Sequence, residues 1–108
     1  MTKTKKKTSR NVVALPAGLF GADVTAERIA PLRMKMVKKI GGLQQLQSVQ
    51  AIDDLCQLLA EVWPAWTVID PGTGELLPNP VNNPEVFMEL EPAQFQWFGG
   101  EGLVERPI

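Results

Sequence analysis

The sequence has no histidine and a single cysteine. Without an imidazole there is no nucleophile–histidine triad and no histidine-ligated metal. The one thiol, Cys56, cannot close an internal disulfide, and it cannot supply a structural zinc site within one chain. It falls on the apolar side of a helical pattern with no lysine near it in sequence, which favours an inert core residue over a reactive thiolate. Long apolar runs are missing too; none approaches the ~20 residues that span a bilayer. The N-terminus is basic, but Val12 to Phe20 is broken by Pro16 and Gly18 and makes a poor signal peptide. The expectation is a cytoplasmic protein with no membrane partner.

Carboxylates are present but poorly arranged for chemistry. Asp53 and Asp54 are adjacent on a helical pattern, so their side chains diverge by about 100° and form no coupled pair. Glu85, Glu89 and Glu91 read as a solvated face. Asp70, Thr73 and Glu75 lack the alternating ligands and terminal glutamate of a calcium loop. The Gly-Thr-Gly at 72–74 is followed by no lysine and no helix, so it is not a phosphate cradle. These patterns predict no enzyme, no metal and no cofactor.

What the chain does have is one strongly patterned stretch, Ser48 to Trp66. Val49, Ile52, Leu55, Cys56, Leu59, Val62 and Trp63 recur at helical spacing. Gln50, Asp53, Asp54, Gln57 and Glu61 form a narrow polar stripe opposite them. Ser48 is placed to accept from the free N–H groups of the first turn. Pro64 cannot donate and restricts Trp63, so the helix should stop there. A helix this apolar must be covered by the rest of the chain or by another chain.

The small net charge of −1 conceals a polarity. Residues 1–42 hold ten Lys and Arg against Asp23 and Glu27; residues 43–108 hold Arg106 against ten acids. Such asymmetry bears on partners, not on fold. It suits nucleic acid at one end, or self-association of chains through opposite charged ends.

In chain order, residues 1–10 read as a disordered basic tail whose Lys3, Lys5, Lys6, Lys7 and Arg10 would attract phosphates. The tail has no aromatic or amide side chain to read a base. Residues 11–100 read as one small domain and 101–108 as a loose C-terminal tail. Asn11 to Leu15 is a strand stopped by Pro16, and Pro16 to Asp23 a loop. Residues 25–32 are expected to be extended and to pair with the first strand as an edge ribbon, since Pro31 is tolerated at an edge. Arg33 to Leu46 is a helix with Met36, Val37, Ile40 and Leu43 on one face and Lys35, Lys38 and Lys39 on the other. Gly41-Gly42 would cost it about 2 kcal/mol against alanines, enough to kink or stop it. The lysines would either meet Asp53, Asp54 and Glu61 or face solvent.

After the central helix, Asp70-Pro-Gly-Thr-Gly between Val68-Ile69 and Leu76-Leu77 marks a small hairpin. Asn83 is placed to cap a helical segment opening at Pro84, continuing through Phe95, Trp97 and Phe98 as one helix or two broken at Pro92, and ended by Gly99-Gly100. The late aromatics either pack on the central helix or stand exposed to a partner. The fold class expected is α+β, mostly α: two main helices, a short N-terminal β ribbon, a small DPGTG hairpin and a short C-terminal helical region.

The order of these parts carries a resemblance. The strand region, IAPLRMKMVKKIGGL, the helix AIDDLCQLLAEV, the tryptophan, the Asp-Pro-x-Thr-Gly turn and the final helices after a Pro-Asn linker are together similar in layout to the small tail assembly chaperones of tailed bacteriophages, over roughly residues 12–98. The resemblance assigns no functional residues. It implies a non-enzymatic protein that coats apolar segments of a tape measure protein during tail building in the host cytoplasm. Adaptable side chains suit that role, so Met34, Met36, Met88, Phe95, Trp97 and Phe98 are the candidate partner-binding residues, with core gap-filling the competing reading of the methionines. The alternative is a small nucleic-acid-binding accessory protein using the basic tail with Lys35, Lys38 and Lys39.

Overall fold

A computed structural model describes residues 9–46 and 48–106. It is a mixed α+β domain, mostly helical, around a three-stranded antiparallel sheet. Strand β1 (Ser9–Ala14) pairs with β2 (Thr25–Ala30) from Ser9↔Ala30 to Ala14↔Thr25. A four-residue helix, α1 (Ala17–Phe20), lies in the connection, where a loop was expected. Strand β2 is not an edge: β3 (Ala65–Trp66) pairs along its other side, and Pro31 falls just beyond the strand.

Helix α2 spans Met34–Gln45 and runs unbroken through Gly41-Gly42. Ile40 is fully buried on one side of the pair and Leu43 packs on the core on the other, so packing on both sides outweighs the propensity cost. Helix α3 spans Val49–Val62. Ser48 Oγ accepts from Ala51 N at 3.1 Å, as the cap requires, and Trp63 ends the helix ahead of Pro64. Seven of its residues are buried, from Ala51 to Val62, but Val49 stands 79% exposed at the first turn.

The turn after β3 forms as expected. Ile69 and Leu76 make the bridge, and Asp70 Oδ1 accepts from Gly72 N at 2.6 Å and Thr73 N at 3.3 Å. Those bonds on Asp70 Oδ1, with Gly74 at φ 77°, build the turn. Two 3₁₀ segments follow, Pro80–Asn82 and Pro84–Glu89. Asn83 does not cap the second with its side chain; its amide instead donates to Asn79 O at 3.4 Å. Helix α4 is Pro92–Phe98. Gln94, buried, receives Glu91 N on Oε1 and donates Nε2 to Leu19 O at 2.9 Å, which ties α4 to α1.

Residues after Gly100 are not the loose tail that was expected: Glu101–Val104 is a 3₁₀ turn with Gly102 and Leu103 buried. A Cβ on Gly102 would lie 2.7 Å from the Trp97 ring and 2.9 Å from the Trp63 ring, so only glycine fits. The Gly102 carbonyl accepts from Arg28 Nη1 at 2.6 Å. Among the described residues, no helix is long and apolar enough to cross a membrane.

Five elements meet at Phe98. Its ring lies 5.2 to 5.6 Å, centroid to centroid, from Phe20, Trp63, Trp66, Phe87 and Trp97. Phe98→Ala should therefore lower the unfolding free energy by about 3 to 5 kcal/mol. Met88→Ala, at a residue 55% exposed, should change it by no more than about 0.5 kcal/mol. Urea unfolding followed by far-UV circular dichroism reads both, and near-equal losses would contradict this packing.

Candidate functional site

Among the described residues, one groove of about 520 Å³ is lined jointly by α2, α3 and α4. Leu43, Gln44 and Leu46 form the α2 bank, Ile52 and Leu55 the α3 bank, and Phe95, Gln96 and Gly100 the floor from α4 and beyond. Helix α2 ends at Gln45, α3 begins at Val49, and α4, seven residues long, ends at Phe98. Leu46, which lines the groove, is 58% exposed, and Val49, three residues on, is exposed as well. Two glutamine amides, Gln44 and Gln96, are its polar lining. That composition binds apolar side chains and offers hydrogen bonds at the margin.

The residues expected to bind a partner are scattered. Phe95 is half-buried and lines the groove. Trp97 and Phe98 do not: they are 3% and 0% exposed, with edge-to-face ring contacts, and so belong to the core and not to a partner surface. Trp63 reinforces this by donating Nε1–H to Phe98 O at 3.1 Å. Met36 is half-buried against the core; Met34 and Met88 are exposed, but neither lines the groove. The groove residues missed in the sequence are Leu43, Leu46, Ile52 and Leu55. Leu46 carried a usable signal, an aliphatic in a connector too short to bury it.

The basic candidates also divide. Lys3, Lys5, Lys6 and Lys7 lie outside the described residues. Arg10 is not part of a free tail: it belongs to β1, and its Nη1 holds Glu27 Oε1 at 3.2 Å. Lys35, Lys38 and Lys39 are exposed on α2 and make no ion pair with Asp53, Asp54 or Glu61. One further cation is buried. Arg28 is 8% exposed on β2, its Nη1 on Gly102 O and its guanidinium carbon 5.8 Å from the Trp63 ring centroid; its Nε has no partner. Burial pulls its pKa below the ordinary arginine value, partly offset by Glu105.

Cys56 is 3% exposed on α3. Burial, with Asp53 and Glu85 adding to it, pushes the thiol up to about 11 from 9.0. A nucleophilic thiolate needs the opposite shift. Because the folded thiol keeps its proton after the unfolded one has lost it, stability should fall as pH rises from about 9 to about 11, by about 1.4 kcal/mol per unit. Urea midpoints across that range should show the extra slope in the wild-type chain and not in Cys56→Ala; equal slopes would refute it. Comparisons of the chain with protein-family models, with curated proteins and with solved structures return no match.

Proposed function

We propose that this chain is a non-enzymatic bacteriophage tail assembly chaperone, or a closely related accessory of tail building, that works in the host cytoplasm by binding apolar helical segments of a tape measure protein. One observation carries the reading: the apolar groove between α2, α3 and α4, bounded by the exposed Leu46. A chaperone of this kind must hold greasy segments without reacting with them. Its client site therefore needs aliphatic and aromatic walls and a short list of amides, which Leu43, Ile52, Leu55, Phe95, Gln44 and Gln96 supply. The resemblance in layout to that family supports the same role.

A second reading has its own support. Arg33, Lys35, Lys38 and Lys39 stand exposed within seven residues of one another at the start of α2, where no acid occupies the first turn. Together with the lysines of the first eight residues they would attract a phosphate backbone.

Co-expression with the tape measure protein decides between them. The chaperone reading expects the tape measure protein to move from the insoluble to the soluble fraction, with the rescue lost in Leu46→Asp. Leu46 is exposed, so that variant should still fold. No rescue, together with a DNA affinity that falls steeply with salt and disappears when residues 1–8 are removed, would replace the first reading with the second.

A further inference from the structure

Helix α2 carries two kinds of surface along a single flank. At 100° per residue, Lys35, Lys39 and Leu43 follow one another at four-residue steps that drift about 80° around the helix, so the basic flank runs into the edge of the apolar face at Leu43, with Leu46 just past the end of α2. The stripe is basic at the N-terminal end and apolar at the C-terminal end, where Leu43 and Leu46 become the bank of the groove. From Lys35 to Leu43 the rise is about 12 Å, a little over two turns. The lysines have no carboxylate of α3 to neutralise them. The positive end of the helix dipole adds to them, since the first turn of α2 holds no acid and Arg33 makes no side-chain cap. At the other end the groove lining carries no charged side chain: Leu46, Ile52, Leu55 and Phe95 stand there with the amides of Gln44 and Gln96.

We infer that the groove takes an amphipathic helix that is apolar and free of acids at one end and acidic at the other. The ligand lies along α2 with its apolar side chains between Leu43, Leu46, Ile52 and Phe95 and its carboxylates over Lys35 and Lys39. The inference rests on the groove being the client site and specifies the chemistry of the client. The apolar end supplies affinity by burial. The charges choose the direction in which the helix lies, because a reversed ligand would carry its acids away from Lys35 and Lys39 and leave the lysines unmet. Client segments of this protein are then those whose greasy turns are followed or preceded, two turns away, by Glu or Asp.

The test uses the full-length chain and two fluorescein-labelled helical peptides. Both carry leucines at i, i+3, i+4 and i+7 at one end; one carries three glutamates at the other end and its twin three lysines. Fluorescence anisotropy should show the glutamate peptide binding about tenfold tighter at low salt, the sum of two or three exposed pairs. The preference should shrink as salt screens the pairs. It should invert in the double variant K35E/K39E, whose exposed positions leave the fold intact. Leu46→Asp should weaken both peptides. If the twins bind equally to the wild-type chain and both fail on Leu46→Asp, the groove is a client site but reads no charge, and the inference falls while the functional reading stands. If neither peptide binds, the inference falls as well, and the co-expression rescue then judges the functional reading by itself.

Discussion

Phe98 is the residue on which the fold closes. Its ring touches five other aromatic rings, and its carbonyl receives the Trp63 indole N–H. Those rings come from α1, the end of α3, β3, the second 3₁₀ segment and α4, so no element reaches its final position unless the others do. Edge-to-face pairs add about 0.5 to 1.5 kcal/mol each beyond area burial, and here several share one ring. Trp66 is fixed independently, its indole N–H on Pro78 O at 3.0 Å. Satisfying both indole donors on backbone carbonyls lets the chain bury large rings without leaving a polar atom stranded.

Closure at the far side of this cluster depends on an exchange between Gly102 and Arg28. The 101–104 turn lays a glycine against both Trp63 and Trp97, and its carbonyl satisfies one nitrogen of a buried guanidinium. The cost is a charge held among aromatics with Nε unbonded, softened by its position beside the Trp63 ring. The same turn brings Leu103 into the core. With Phe20, Trp63, Trp66, Phe87, Trp97 and Phe98 committed to the interior, the groove is left with Phe95 and the aliphatics Leu43, Leu46, Ile52 and Leu55.

Helix α3 was legible because one segment carries every sign of it: the 3.6-residue period, the Ser48 cap and the Pro64 stop are local. The Asp70 turn was legible for the same reason; the ribbon was expected between 11–15 and 25–32 and forms as Ser9–Ala14 with Thr25–Ala30. The third strand was not, since two residues at Ala65–Trp66 give no periodicity. Nor was the unbroken course of α2, because the contacts that override Gly41-Gly42 are tertiary. Arg28 reads as a surface residue until the turn at 101–104 folds over it from more than seventy residues away. Of the aromatics named in the sequence as partner-binding candidates, Phe95 lines the groove, while Trp97 and Phe98, with the same composition signal two and three positions on, point inward. A seven-residue helix has too little length to reveal its faces by pattern.

The account holds that the aromatics build the body and that a partner is gripped at the groove between α2, α3 and α4. Chemical-shift mapping on the isotope-labelled chain, titrated with the apolar segment of a tape measure protein, tests this most directly. The account requires the largest backbone shifts at Leu43, Leu46, Ile52, Leu55, Phe95 and Gly100, with the indole signals of Trp63 and Trp66 unmoved. Shifts centred on the indoles and the 101–104 turn, with the groove silent, would mean that the partner opens the core and that the account is wrong.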